Sequence, residues 1–269
     1  MIGGGGLVKR GRDGKIEIPR GEQDSLGLAE WLGRRVDPTG DPWFRFGRVI
    51  AAVNSCVAVH SGATWLDVGC QMGQFLKVVQ QNYGATVYGI DDFESRNAVE
   101  VCRKYLKMNI DSPEEIFDGS WHYFCRRIDQ VGFALDKKFD MISALEVLEH
   151  MIDTDAFLEE CRNHLASAGW LIITTPNINS LRNRVTVPLG TYPNGIEYRT
   201  VIHHVRLYNA ANLKSHVESH GFRLVKMSGV SFLPRRTLVG VTVKGIDHQL
   251  SKLLPSLCGN LIGVFQKLD

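Results

Sequence analysis

The sequence predicts an α/β protein with a doubly wound, mostly parallel sheet and helices on both faces. The first observation is an apolar run, Thr64–Val68, that ends in the glycine turn 69–73 and precedes a helical period over residues 75–82. The second is a short β-rich run at residues 85–92 that ends in acids. Strand and helix patterns then alternate toward the C-terminus, which favours parallel strands joined by helical crossovers.

The remaining elements follow from the same periodicities. Further strands are predicted at residues 121–128, 139–144, 169–177, 222–230 and 261–267. Helices are predicted at residues 24–32, 43–60, 95–108, 146–151 and 155–165, and a further helix follows the stretch 203–213 and runs through His220. We therefore expect an N-terminal arm and cap helix over residues 1–43. One folded domain follows over residues 44–269, with an irregular lid insertion at about 178–202.

Composition narrows the function classes. Lys and Arg total 31 against 29 Asp and Glu, a formal net charge of +2, so nucleic acid is a possible but unsupported partner. The six cysteines form no Cys-x-x-Cys pair, which favours a reducing, cytoplasmic setting. No window is long and apolar enough to span a bilayer. Residues 1–23 are rich in glycine and charge and lack the apolar core of a secretory signal.

The glycine turn predicts a ligand at the carboxyl end of the strand that precedes it. Gly69 and Gly73 permit positive φ and let backbone N–H groups approach a ligand without a Cβ in the way. Asp91 follows at about the 20-residue distance at which α/β nucleotide sites place the carboxylate that binds a ribose. The spacing is not the dinucleotide fingerprint G-x-G-x-x-G, because Gln71 stands where a middle glycine would be.

Several motifs, taken in order, resemble a known family. They are Asp67-x-Gly69-x-x-x-Gly73, the acid-ended strand at Asp91, Glu-Val-Leu-Glu-His at 146–150, Thr-Pro-Asn at 175–177 and His-x-Arg at 204–206. This order resembles the class I S-adenosylmethionine-dependent methyltransferases. The resemblance is to the branch that contains ubiquinone-biosynthesis O-methyltransferases and small-RNA 2′-O-methyltransferases. It covers about residues 44–269 and implies a Rossmann-like, seven-stranded sheet with an antiparallel last strand.

The resemblance also implies a binding site for S-adenosylmethionine. Gly69 and Gly73 would let the turn approach the methionine moiety, whose ammonium Asp67 would bind. Asp91 would accept from both ribose hydroxyls, and Asp129 would accept from the adenine amino group. The other implied cofactor-binding residues are Cys70, Phe75, Asp92, which is the neighbouring alternative to Asp91, and Leu145.

A second polar group follows the strand 139–144. Glu146, Glu149 and His150 have the i, i+3, i+4 spacing that places side chains on one face of a helix, where an acceptor would sit. In one interpretation His150 is a general base that the two glutamates orient. In another, all three residues and His204 bind a divalent metal such as Mg, Mn, Fe or Zn, as the relatives suggest, with His203 as the substitute. The third is a structural role in salt bridging and capping.

The sequence thus predicts an S-adenosylmethionine-dependent methyltransferase, with O-methylation of a small hydroxylated molecule or glycan as the preferred reaction. A metal-assisted 2′-O-methyltransferase of RNA is the alternative within the class, against which the small net charge argues. Two further hypotheses are a nicotinamide-dependent oxidoreductase, which would prefer G-x-G-x-x-G, and a non-catalytic cofactor-binding protein. The polar residues Glu146, Glu149, His150 and His204 argue against the non-catalytic protein, because binding a cofactor does not require them.

Overall fold

The computed structural model describes residues 9–10, 16–17, 44–70, 73–91, 116–117, 121–125, 132–193, 204–230 and 249–269. Near the N-terminus, β1 (Lys9–Arg10) and β2 (Ile16–Glu17) form a short antiparallel pair. The rest of the predicted arm and the predicted helices at 24–32 and 95–108 lie outside the described residues.

A single large sheet organises the described part of the chain. Its strands are β3 (Thr64–Val68), β4 (Thr86–Asp91), β5 (Ile116–Phe117), β6 (Trp121–Cys125), β7 (Phe139–Leu145), β8 (Leu165–Pro176), β9 (Phe222–Val230) and β10 (Asn260–Lys267). Their order across the sheet is β5-β6-β4-β3-β7-β8-β10-β9. The described sheet therefore has eight strands, one more than the seven that the sequence predicted, because the two-residue β5 pairs with the outer edge of β6.

The strand directions create a crevice near the middle of the sheet. β6, β4, β3, β7 and β8 are parallel, β10 is antiparallel to both of its neighbours, and β5 is antiparallel to β6. The chain proceeds outward from β3 to β4 and β6, and then returns to the other side of β3 to form β7. In open α/β sheets such a reversal opens a crevice beyond the carboxyl ends of the strands. The predicted antiparallel last strand is confirmed.

Helices cover both faces of the sheet. They are α1 (Phe44–Asn54), α2 (Gln74–Tyr83), α3 (Thr154–His164), α4 (Leu181–Thr186) and α5 (Ala210–Glu218), with 3-10 turns at Leu148–His150 and Pro255–Leu257. On one face, α1 and α2 pack around the fully buried Trp65. On the other, α3 and α5 pack against Leu66 and Ile142. Two buried apolar layers that enclose one sheet confirm the doubly wound class.

Local sequence sets the ends of several helices. The side chains of Asp153 and Ser180 cap α3 and α4 by accepting from the N–H groups of Ala156 and Asn183. Asn209 caps α5 in a reciprocal capping box with Asn212. Among the residues that the structure describes, no helix has the length and apolar character needed to cross a membrane.

Three predicted elements differ from the structure. The helix predicted at 43–60 is α1, which ends at Asn54. The helix predicted at 146–151 is wrong, because Glu146 takes φ 62° and only Leu148–His150 forms a 3-10 turn. The strand predicted at 169–177 begins earlier: α3 ends at His164 and β8 starts at Leu165. Leu165 already pairs with Phe139 of β7, so sheet pairing overrides the helical pattern there.

Candidate active site

The turn after β3 is held between β4 and the segment that follows β7. The N–H groups of Gly69 and Cys70 both donate to Ile90 O, at 2.8 and 3.3 Å. Gly69 has φ 69°, and a Cβ there would lie 2.5 Å from Val147 Cγ2. Glycine satisfies both constraints, because any other residue would be strained at this φ and its side chain would collide with Val147.

The start of α2 offers backbone donors beside this turn. Gly73 precedes the helix with φ 75°, and no side chain caps the helix there. The first N–H groups of a helix lack partners within the helix and can bind an anionic group. Phe75 belongs to this first turn, but its ring packs against Phe46 and Trp65 and the residue is only 2% exposed. The sequence placed Phe75 in the cofactor set, whereas the structure places its ring in the core.

Asp67 is a buried acid near the carboxyl end of β3. It accepts a hydrogen bond from Ser143 Oγ at 2.5 Å, and Ser143 Oγ in turn accepts from Trp65 Nε1 at 2.9 Å. Burial raises the pKa of Asp67 to about 8. The Ser143 hydrogen bond opposes this rise, and the charge of Asp91 adds to it. The Asp67 carboxyl is therefore largely protonated at neutral pH unless a cation approaches it.

The other predicted cofactor residues lie at neighbouring strand ends. Asp91 is the last residue of β4 and Leu145 is the last residue of β7, and both are half-buried. The charge of Asp91 acts on Asp67, so the two acids are close enough to interact. Asp92 and Asp129 lie outside the described residues.

Glu146 is held by structural contacts. Its Oε1 accepts from Thr174 Oγ1 and its Oε2 from Asn260 Nδ2, both at 2.8 Å. The guanidinium of Arg45 lies 3.4 Å from Oε2, and the Glu146 N–H donates to Thr174 O. These contacts explain why Glu146 does not join a helix. Among the described residues, the ligand atoms that converge at the candidate metal cluster do not include those of Glu146.

Glu149 has the opposite environment. Its side chain is 1% exposed, and neither carboxylate oxygen has a hydrogen-bond partner among the described residues. Burial raises the pKa of Glu149 to about 8, and the charge of Glu146 adds to this. The charge of Arg45 opposes the rise, as does the Thr175 hydroxyl, which lies nearby but outside hydrogen-bond geometry. A buried carboxyl without partners is costly unless it is neutral or meets a cation.

His150 and His204 complete a cluster with Glu149. Their ring centroids are 4.6 Å apart in an edge-to-face arrangement. One ligand atom from each of the three residues lies within 4.8 Å of the others. The N–H groups of Val205 and Arg206 both donate to Glu149 O, which fixes the His204 segment beside the 3-10 turn. The structure therefore brings together three of the four predicted metal ligands, and the substitute, His203, lies outside the described residues.

Sequence reasoning missed the residues that tune these acids. Ser143 orients Asp67, and Thr174 and Asn260 bind Glu146. Ser143 could have been found, because it is the polar residue inside the otherwise apolar end of strand Phe139–Leu145. The Asn260 contact spans 114 positions along the chain, so no local pattern could indicate it.

Comparison with known proteins decides the family. The family described as a methyltransferase domain matches residues 44–227, well over half of the chain. The chain belongs to this family. The predicted class is confirmed for the matched region, which is a domain of the S-adenosylmethionine-dependent methyltransferase class.

Relatives with assigned activities point in the same direction. The chain is 27% identical over 173 residues to the human mitochondrial ubiquinone biosynthesis O-methyltransferase. This match covers 64% of the chain and 45% of the human protein. The chain is 26% identical over 174 residues to the ubiquinone biosynthesis O-methyltransferase of Rhodopseudomonas palustris strain HaA2, covering 65% and 64%. The chain thus matches about half to two thirds of the length of these relatives.

Solved structures share the fold at low identity. Haemonchus contortus phosphoethanolamine N-methyltransferase 2 in complex with S-adenosyl-L-methionine has a TM-score of 0.56 at 14% identity, covering 93% of this methyltransferase and 59% of that chain. Magnesium protoporphyrin IX methyltransferase from Synechocystis, with bound S-adenosylhomocysteine, scores 0.53 at 16%, covering 92% and 97%. The [4+2]-cyclase SpnF scores 0.54 at 18%, covering 83% and 80%. The fold therefore hosts different acceptors and reactions, so the acceptor must be argued from the site.

Proposed function

We propose that this methyltransferase methylates a hydroxyl group of a small, largely apolar molecule. The observation that carries the proposal is the convergence of Glu149, His150 and His204 within 4.8 Å of one another. Val147, which precedes them, packs against the Gly69 turn. A hydroxyl must lose its proton as its oxygen attacks, and this cluster offers groups that can remove the proton or lower the hydroxyl pKa. The similarity to ubiquinone biosynthesis O-methyltransferases supports an oxygen acceptor.

The cofactor half of the proposal assigns roles at the strand ends. S-adenosylmethionine, when bound, supplies an electrophilic methyl group. Asp67 would hold the ammonium of its methionine moiety, and Asp91 would accept hydrogen bonds from the ribose hydroxyls. Both acids end or nearly end neighbouring strands, and the charge of one is felt by the other. The uncapped start of α2 after Gly73 offers N–H donors to a carboxylate.

The acceptor half assigns a divalent metal to Glu149, His150 and His204. The fit rests on chemistry in this cluster: a buried carboxylate without a hydrogen-bond partner among the described residues lies beside two imidazoles. Carboxylate oxygen and imidazole nitrogen are common ligands of divalent metals. A metal there would lower the pKa of an acceptor hydroxyl. It would also favour the ionised form of Glu149, which burial alone disfavours.

The lid insertion at 178–202 supports an apolar acceptor. The part that the structure describes follows the carboxyl end of β8 and includes α4. Val185, Leu189 and Tyr192 are 56%, 77% and 61% exposed. Large apolar side chains on a segment beside a binding crevice favour contact with an apolar ligand. The net charge of +2 gives no comparable support for RNA.

The proposal is tested by methyl transfer from labelled S-adenosylmethionine to hydroxylated aromatic molecules, glycans and RNA. We expect transfer to small hydroxylated molecules. His150→Gln should lower kcat by roughly 100- to 10,000-fold, the usual contribution of proton-transfer groups. Calorimetry should show unchanged cofactor affinity for this variant, and the exposed His60, altered to Gln, serves as the matched control.

Chelation separates the two roles of the cluster. Turnover that is lost on chelation and restored by a divalent ion supports the metal. Turnover that survives complete metal removal instead makes His150 a general base. Transfer to RNA alone, or an unaltered kcat for His150→Gln, would refute the proposed acceptor chemistry.

A further inference from the structure

A second cluster of histidine and aspartate joins α3 to the end of α5. His216 Nε2 lies 2.7 Å from Asp155 Oδ1, and His220 Nε2 lies 3.3 Å from the same oxygen. The two imidazoles meet edge to face with centroids 5.3 Å apart. One ligand atom from each of the three residues lies within 4.8 Å of the others. None of these residues belongs to the cofactor or acceptor site proposed above.

The opposite nitrogen of each imidazole is already engaged. His220 Nδ1 lies 2.9 Å from His216 O, so it donates to that carbonyl and leaves Nε2 with its lone pair. His216 Nδ1 lies 3.0 Å from the hydroxyl of Tyr208, which can either donate or accept. Metal-binding histidines almost always have their second nitrogen held in this way by a carbonyl or another polar group. Both Nε2 atoms are therefore oriented toward Asp155 and away from the protein backbone.

The carboxylate of this cluster is open to solvent. The Asp155 side chain is 70% exposed, whereas those of His216 and His220 are 23% and 13% exposed, so the two imidazoles are fixed and the carboxylate is accessible. Asp155 supplies a carboxylate oxygen at His216 Nε2, while the hydroxyl of Tyr208 lies at the opposite nitrogen, Nδ1. Among the described residues, Arg206 is the one cation besides the two histidines whose charge acts on Asp155. Its guanidinium donates to Ile152 O.

We propose that Asp155, His216 and His220 bind a divalent transition metal of the zinc class. Two ligand atoms at about 2.0 to 2.1 Å from a tetrahedral zinc are about 3.3 Å apart. The separation between His220 Nε2 and Asp155 Oδ1 already has this value. The separation between His216 Nε2 and Asp155 Oδ1, which is 2.7 Å, would have to increase slightly. Three protein ligands leave a fourth position for water or another group.

This site would hold two segments that also carry the acceptor cluster. Residues 149–155 connect Glu149 and His150 to Asp155, and residues 204–216 connect His204 to His216. The two segments already contact each other where Val205 and Arg206 donate to Glu149 O. A metal at the far end would close this pair of segments at a second point and so restrict their separation.

Zinc binding to the full chain tests the site. The acceptor cluster is first removed with His150→Gln and His204→Gln, so that its own metal is not counted. Equilibrium dialysis with Zn²⁺ should then show one remaining equivalent. Adding His216→Gln and His220→Gln should abolish that equivalent, whereas adding His60→Gln should leave it. Tyr208→Phe should weaken the affinity by roughly 10- to 100-fold, as is usual for a group that orients a ligand.

A labelling experiment on the unaltered chain keeps the test independent of whether these variants fold. Diethylpyrocarbonate modifies accessible imidazole nitrogens, and peptide mass spectrometry locates the modified histidines. Zn²⁺ should protect His216 and His220 and leave His60 reactive. Equal zinc binding with and without His216→Gln and His220→Gln would overturn the proposal, as would labelling that Zn²⁺ does not change. Either result would mean that the three side chains only connect α3 to the end of α5 through hydrogen bonds.

Discussion

Gly69 carries a steric requirement that extends beyond its own backbone. Its φ of 69° favours glycine, and Val147 Cγ2 occupies the position beside the missing Cβ. The first requirement comes from the local turn and the second from a segment nearly 80 residues away in sequence, so both the turn and the β7 exit depend on this residue.

Gly69→Ala should therefore destabilise the protein for two reasons. Positive φ costs an alanine about 1–2 kcal/mol of unfolding free energy, and overpacking against Val147 adds about 1–3 kcal/mol. Urea denaturation measures the sum. Gly84→Ala is the matched control, because its φ is 63° and nothing lies within 4 Å of its added Cβ. Equal losses in the two variants would show that the Val147 contact is unimportant, and Val147→Ala should rescue part of the loss at position 69.

Glu146 shows where residue-level prediction fails. Its spacing from Glu149 and His150 suggested a shared helical face, but its backbone takes φ 62° and its carboxylate binds Thr174, Asn260 and Arg45. These partners come from β8, β10 and α1, which the sequence does not place beside it. Glu149, His150 and His204 do lie together, but a 3-10 turn and not a helix places them there, and their role stays a prediction.

At the scale of elements, α5 depends on its first residues. Asn209 accepts from the N–H groups of Ala211 and Asn212, and the Asn212 side chain accepts from the Asn209 N–H. This reciprocal box follows directly after Tyr208, which pairs with Asn177 in a short bridge. The cap therefore fixes where the helix that carries His216 begins.

Asn209→Ala should lower the free energy of unfolding by about 1 kcal/mol, the usual value of an N-cap. The loss arises because two backbone N–H groups lose their acceptor. Thermal or urea unfolding measures it, with the exposed Lys214→Ala on the same helix as the control. A change below a few tenths of a kcal/mol would mean that water replaces the cap without cost.

Elements with a strong local pattern were predicted closely. The strand Phe222–Val230 has the predicted bounds, and β7 and β10 differ from prediction by one residue at an end. Each carries an apolar run that needs little long-range information. The boundary between α3 and β8 was misplaced, because Leu165 pairs with Phe139, a contact with a distant strand that competes with helix propensity.

At the scale of the whole molecule, the sheet order collects polar residues that are far apart in sequence. Asp67 lies next to the last residue of β3 and Asp91 ends the neighbouring β4, so their place at the carboxyl edge of the sheet could be inferred from the class of fold alone. The burial of Asp67 and of Glu149 could not be inferred, because the apolar layers on the two faces of the sheet are built from both halves of the chain. The cytoplasmic setting and the lid assignment stay predictions.

The two buried acids should make stability depend on pH. The folded pKa of Glu149 is about 8, whereas its unfolded value is near 4.5, so between these values the folded state binds the extra proton. The contribution to stability is full below pH 4.5 and falls as pH rises through 8. In metal-free protein each such carboxyl should lower the free energy of unfolding by roughly 2–3 kcal/mol between pH 5 and pH 7.

Urea denaturation at several pH values tests this dependence. Glu149→Gln should reduce the slope of stability against pH, because a glutamine does not titrate. Glu159→Gln, at an exposed position of α3, should retain the full slope. An identical slope in Glu149→Gln and the parent protein would mean that Glu149 is ionised in the folded state.

The hydrogen-bonded pair of Asp67 and Ser143 couples ligand binding to solvent protons. With a pKa of about 8, the Asp67 carboxyl holds a proton at pH 7 in the free protein. A ligand ammonium beside it would expel that proton, so binding should release close to one proton. Below pH 8 the affinity should therefore increase by up to about tenfold for each unit that the pH rises. Calorimetry in two buffers of different ionisation enthalpy measures this release, and Asp67→Asn should abolish it. Heats that are independent of buffer would mean that Asp67 does not face the ammonium. The methyl donor would thus enter this enzyme by ion exchange, replacing a hydrogen ion with its own positive charge.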